Sequence, residues 1–101
     1  MVEQQEQQKI AEQTVFVGSK PFMNYVTSTV MLFTTQNAKS LVIKARGKFI
    51  ARAVDIIEVV RNRFLEDQLT IKDIKIGSEQ FENREGKQVR VSTIEIYVEK
   101  K

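Results

Sequence analysis

Neither cysteine nor histidine occurs among the 101 residues, which removes thiol catalysis, disulfides, zinc ribbons and the imidazole base that usually works near neutral pH. Chemistry is left to carboxylates, lysines and hydroxyls. The carboxylates form no catalytic pattern. Asp55 and Glu58 fall on the polar side of a helix near Arg52 and Arg61, at ordinary ion-pair spacing, and Glu66-Asp67 follows in the next turn. No enzyme, metal site or cofactor is expected.

The cations are placed more pointedly. The densest basic run is Ile43-Lys44-Ala45-Arg46-Gly47-Lys48, with Arg52 one helical turn further on. It joins a strand to a helix start, where unpaired backbone N–H groups and the helix dipole both favour an anion. Arg46 can fork two phosphate oxygens, Lys48 adds a point charge, and Gly47 permits close backbone approach. Gly18-Ser19-Lys20-Pro21 repeats the logic at the other strand-to-helix junction, with Ser19 able to cap the helix or donate to a phosphate. Each loop also reads as a plain turn whose cations are merely solvated. Two such loops leaving one sheet edge make an anion site the stronger joint reading.

The elements that hold these loops follow from periodicity and stop signals. Thr14-Val15-Phe16-Val17 is a strand ended by Gly18-Ser19, and Pro21 stands where a first helical residue belongs. Phe22, Val26, Val30 and Phe33 recur at helical spacing, with the end near Gln36-Asn37. Leu41-Val42-Ile43 is a buried-type strand. A second helix runs from Lys48 to about Phe64, its apolar face formed by Phe49, Ile50, Ala53, Ile57, Val60 and Phe64 and widened by Val54, Ile56 and Val59. That sector exceeds what one sheet contact needs and suggests a second burial partner, such as another subunit. Ile71–Ser78 and Val89–Glu99 read as strands, with parity shifts near Lys72-Asp73 and Ser92-Thr93 that predict bulges. Asn83, Arg84, Glu85, Gly86 and Lys87 supply the hairpin loop between them. The order β-α-β-α-β-β predicts a two-layer α/β sandwich, two helices on one face of a four-stranded mixed sheet with an extended terminal hairpin.

Charge is unevenly spread over that plan. Residues 1–13 hold one lysine against three glutamates and read as a disordered Gln-rich tail, leaving the domain at 14–101. That domain carries 15 basic against 10 acidic residues, a balance that points towards polyanions. No signal peptide is visible at the N-terminus, and the charge-free stretch from Pro21 to Ala38 is too polar to span a bilayer. A cytoplasmic protein with no membrane partner is expected.

Four blocks carry a resemblance to a known family. Gly18-Ser19-Lys20-Pro21-Phe22-Met23-Asn24-Tyr25-Val26 is similar to the opening motif of the Alba family of archaeal chromatin proteins. The run from Val42 to Asp55, centred on Lys44-Ala45-Arg46-Gly47-Lys48, resembles its central motif. Val59-Val60-Arg61-Asn62-Arg63-Phe64 and Arg90-Val91-Ser92-Thr93-Ile94-Glu95-Ile96 match later blocks in the same order. The similarity covers about residues 14–101.

The resemblance implies a homodimer, associated with the chromosome, that binds double-stranded DNA with little sequence preference, and also RNA. It places Lys20, Arg46 and Lys48 on phosphate-contacting positions and the last hairpin, with Arg84, Lys87 and Arg90, on arms that reach along the minor groove. It puts Phe64 at a contact between dimers, whereas the helical pattern alone puts Phe64 in the core. Tyr25, Met31 and Leu32, off the main stripe of the charge-free first helix, would offer the facing surface. Two departures stand out. Ser19 occupies a position where the family often has a lysine, one acetylated in some members. In the hairpin, Glu79, Glu82 and Glu85 offset Arg84, Lys87 and Arg90. A ribonucleoprotein subunit on the same fold, or a protein-interaction module docking through the first helix, are the alternatives the sequence leaves open.

Overall fold

In the computed structural model, residues 13–101 are described. The remainder of the Gln-rich segment lies outside them, and Gln13 is already the first residue of a strand. The elements are β1 (Gln13–Phe16), α1 (Phe22–Thr34), β2 (Ser40–Arg46), α2 (Ile50–Val59), β3 (Leu69–Glu82) and β4 (Gln88–Lys100). A 3-10 turn at Gly47–Phe49 leads into α2, and a π-helical turn at Val60–Phe64 ends it. The strand order is β1-β2-β4-β3, with β1 parallel to β2 and both other pairings antiparallel. This is the expected mixed sheet with both helices on one face.

Helix α1 stops at Thr34, two residues short of the expected end. Asn37 takes a left-handed conformation (φ 59°) and the Ala38 N–H returns to the Leu32 carbonyl at 2.8 Å. Asparagine tolerates that conformation, so it closes the helix as a glycine would. On the helix side of the sheet, Leu41, Ile43 and Ala45 of β2 pair with Val98, Ile96 and Ile94 of β4. Val26 and Phe33 from α1, and Ala53, Ile56, Ile57 and Val60 from the second helical stretch, pack into the same core.

The wide apolar sector of α2 divides in an informative way. Ile56 faces the core, whereas Val54 and Phe64 are exposed, Phe64 by 49%. The α-helical pattern that would bury Phe64 does not apply, because the π-turn shifts the rotation per residue at Val60. The core reading of Phe64 is therefore overturned.

Beyond Thr93, β4 pairs with β3 alone, so Ser78–Glu82 and Gln88–Ser92 project from the sheet as an arm. Its turn is held by Asn83, whose Oδ1 accepts from the Glu85 and Lys87 N–H groups at 2.9 and 3.0 Å, with Gly86 at φ 82°. The bulge expected at Lys72-Asp73 is present as a register shift between Ile71 and Asp73. The second one is not. Pairing runs unbroken through Gly77–Thr93 and Ser78–Ser92. The parity change there has another cause: Ile94, Ile96 and Val98 point to the helices, while Val89 and Val91 lie on the opposite face with Phe81. The arm has swapped its apolar side.

Candidate nucleic-acid interface

The loop from Val17 to Pro21 is fastened from two directions. The buried Tyr25 hydroxyl accepts from the Gly18 N–H at 2.9 Å and the Lys20 N–H at 3.2 Å. The Arg52 guanidinium, reaching from α2, donates to the Gly18 carbonyl at 2.5 Å and the Lys20 carbonyl at 2.6 Å. Its plane also lies over the Tyr25 and Phe22 rings, 5.6 and 6.0 Å from their centroids. Arg52 thus joins the two strand-to-helix junctions into one unit. It positions the loop rather than extending towards solvent as a phosphate ligand.

These bonds correct two expectations. Tyr25 is core and loop organiser, so it offers no ring to a neighbouring dimer; Leu32 is likewise half-buried against the core, while Met31 remains exposed. Two of the loop's N–H groups are already engaged by Tyr25, so an anion would meet the Lys20 side chain rather than these amides. Ser19 is exposed, and α1 begins after Pro21 without a side-chain cap, so the capping role for Ser19 is not realised. Tyr25→Phe keeps the ring but removes the acceptor. It should lower the unfolding free energy in urea by about 1–3 kcal/mol, the cost of leaving part-buried donors unmatched. An unchanged urea midpoint would mean the loop finds another acceptor.

At the second junction, alternation along β2 splits the basic run. Ala45 faces the helices, while Lys44 and Arg46 lie on the open face of the sheet. Lys44 approaches Glu95 at 3.7 Å, and Arg46 donates to Glu79 at 2.8 Å. The Glu95 carboxyl is held below its ordinary pKa chiefly by the Tyr97 hydroxyl, which donates to it at 2.6 Å, with Lys44 and Lys75 adding to the effect. Gly47 adopts φ 58°, and a Cβ there would meet nothing within 4 Å. Glycine is required by the backbone conformation and not by crowding.

Lys20 and Lys48 are exposed, and neither forms an ion pair among the described residues. Lys48 Nζ lies 5.5 Å from the Phe49 ring. Arg84, Lys87 and Arg90 are exposed on the arm, also without ion pairs among the described residues. The Arg46–Glu79 contact brings the base of the arm to the second loop. Sequence reasoning missed Glu79 as a partner of Arg46 and Tyr25 as the loop's acceptor, since both depend on pairings that periodicity does not reveal.

Known proteins share this fold. The Alba family model matches residues 13–78. Alba from Thermoplasma volcanium is 40% identical with a TM-score of 0.79, over 86% of this chain and 99% of that one. ALBA1 from Trypanosoma brucei is 26% identical with a TM-score of 0.63, over 87% of this chain and 68% of that one. Among the described residues no helix is long and apolar enough to cross a membrane. With its element order, its two fastened loops and its projecting hairpin, the chain belongs to the Alba family, a non-enzymatic family of nucleic-acid-binding, dimer-forming proteins.

Proposed function

We propose that this protein is a homodimer that binds double-stranded DNA with little sequence preference, and RNA as well, in an architectural, non-catalytic role on the chromosome in the cytoplasm. The observation that carries the reading is the pair of exposed lysines, Lys20 and Lys48, without ion pairs among the described residues, on two junctions that Arg52 holds in fixed relation. Arg46 joins them once a phosphate displaces Glu79, and a surface ion pair of that kind offers little resistance. Phosphate contacts position a protein on the duplex but carry no base information.

The homodimer reading is supported by apolar surface left uncovered on the helix side. Ile74 and Ile76 lie on the edge strand β3, Ile76 exposed by 82%, and Val54 adds to them from α2. Exposed apolar side chains on an edge strand are a pairing hazard unless another surface covers them.

Binding assays on AT-rich and GC-rich duplexes test the proposal. Arg46→Ala should weaken both alike, and Glu79→Gln should tighten both by freeing Arg46. Loss confined to one sequence would indicate base readout, and an inert Arg46→Ala would remove the second loop from the interface.

A further inference from the structure

The sheet face that carries no helix displays aromatic rings beside cations. Phe16, at the end of β1, is 71% exposed, while its neighbour Val15 packs against the core. Phe81 is also exposed, with Val89 and Val91 on the same side of the arm. Lys44 Nζ stands 5.9 Å from the Phe16 ring centroid, and the Arg46 guanidinium stands 5.9 Å from that of Phe81. Beside Phe16 lies a recess of about 400 Å³, with Phe16, Lys44, Arg46, Glu79 and Thr93 among its lining residues. Its volume falls within the range of small-ligand sites, roughly 300–1,000 Å³. Gly77 pairs with Thr93, and a Cβ at Gly77 would come within 3.3 Å of the threonine hydroxyl.

Exposed rings of this size add nothing to the core. Each is paired with a cation, as each base in a nucleic-acid strand is paired with a phosphate. A duplex keeps its bases stacked inside and has no free base to offer these rings. An unpaired strand does. A four-stranded sheet backed by helices, with aromatic side chains on its other face, is a physical layout that stacks unpaired bases. The carboxylates on the face favour RNA over DNA. Glu79 and Glu95 would repel a phosphate but accept a hydrogen bond from a 2′-hydroxyl, which DNA lacks.

We infer that the open sheet face is a stacking platform for single-stranded RNA. Phe16 and Phe81 stack on unpaired bases, Lys44 and Arg46 meet the adjoining phosphates, and Glu79 and Glu95 accept from 2′-hydroxyls. The inference rests on the nucleic-acid reading proposed above, but it assigns the open sheet face, which shares Arg46 with the duplex site, to a different form of ligand.

Fluorescence anisotropy on the full chain tests it, with an unstructured oligo(A) RNA, the matching DNA oligonucleotide and a duplex DNA as probes. Phe16→Ala and Phe81→Ala should each weaken RNA binding about tenfold. Phe16→Ala should leave duplex affinity within about twofold, and its melting temperature should stay near that of the wild type because the ring is exposed. Phe16→Tyr, which keeps a stacking face, should retain RNA binding. The DNA oligonucleotide should bind more weakly than the RNA. Unchanged RNA affinity in the Phe16→Ala/Phe81→Ala double variant overturns the platform and leaves the duplex reading standing. So does equal weakening of RNA and duplex by Phe16→Ala. Equal affinity for the two oligonucleotides overturns the commitment to RNA. A wild type that binds RNA through these rings but no duplex supports the platform and overturns the duplex reading, and a wild type that binds neither overturns both.

Discussion

Affinity for duplex DNA should fall about a thousandfold between 50 and 200 mM salt. The figure follows from counting phosphates. Lys20, Arg46 and Lys48 in both protomers of a dimer would release about six counterions, giving a log–log slope near −5. Arg46 modifies the count in a way the geometry makes explicit. Its charge is partly neutralised by Glu79 in the free protein, so the slope should steepen in Glu79→Gln and become shallower in Arg46→Ala. A wild-type slope shallower than about −2 would place the phosphates away from these loops. Titrations at several salt concentrations, with all three proteins on one duplex, measure it.

Two phenylalanines on neighbouring helical elements should behave in opposite ways when truncated. Phe33 of α1 is fully buried, and Phe33→Ala should cost about 3–5 kcal/mol. In a domain of this size that lowers Tm by more than about 10 °C. Phe64 stands half out of the surface on the π-turn, so Phe64→Ala should leave Tm within a few degrees. Its effect should appear on long DNA, where cooperative filling by adjacent dimers is lost. Such contacts are weak in solution and gain strength when the partners are held side by side. Met31 is exposed on α1 and is the facing residue we propose, whereas Tyr25 is buried. A large drop in Tm with cooperativity intact would return Phe64 to a packing role.

Element order was legible because every segment carries both a period and a stop. Gly18-Ser19 ends β1, Pro21 precedes α1, and Gly47 with its left-handed backbone separates β2 from α2. The bulge at Lys72 was legible from parity alone. The same reasoning failed at Ser92-Thr93, because parity reports which face is apolar, and the apolar face changes where the arm leaves the helices behind. The loop cations were legible as types and spacing, but not their partners. Arg46 and Glu79 are 33 residues apart and meet only through the pairing of three strands. Tyr25 looked like surface because its ring lies off the apolar stripe, yet its hydroxyl is what the first loop is built around. Periodicity resolves faces, and hydrogen-bond acceptors are invisible to it.

The contact between Arg46, Glu79 and Phe81 links two events that are separate in space. When a phosphate takes Arg46, the base of the arm loses its tie to the second loop and gains freedom to turn. When a ligand draws the arm aside, Arg46 is released and the loop becomes a better anion trap. Linkage makes these the same free energy seen from two ends. Because the tie is an exposed ion pair, the reciprocal effect stays within about fivefold. The arm and the loop therefore influence each other weakly but in both directions, and on the proposed reading a protein seated by its loops would have a hairpin freer to follow the local shape of a groove.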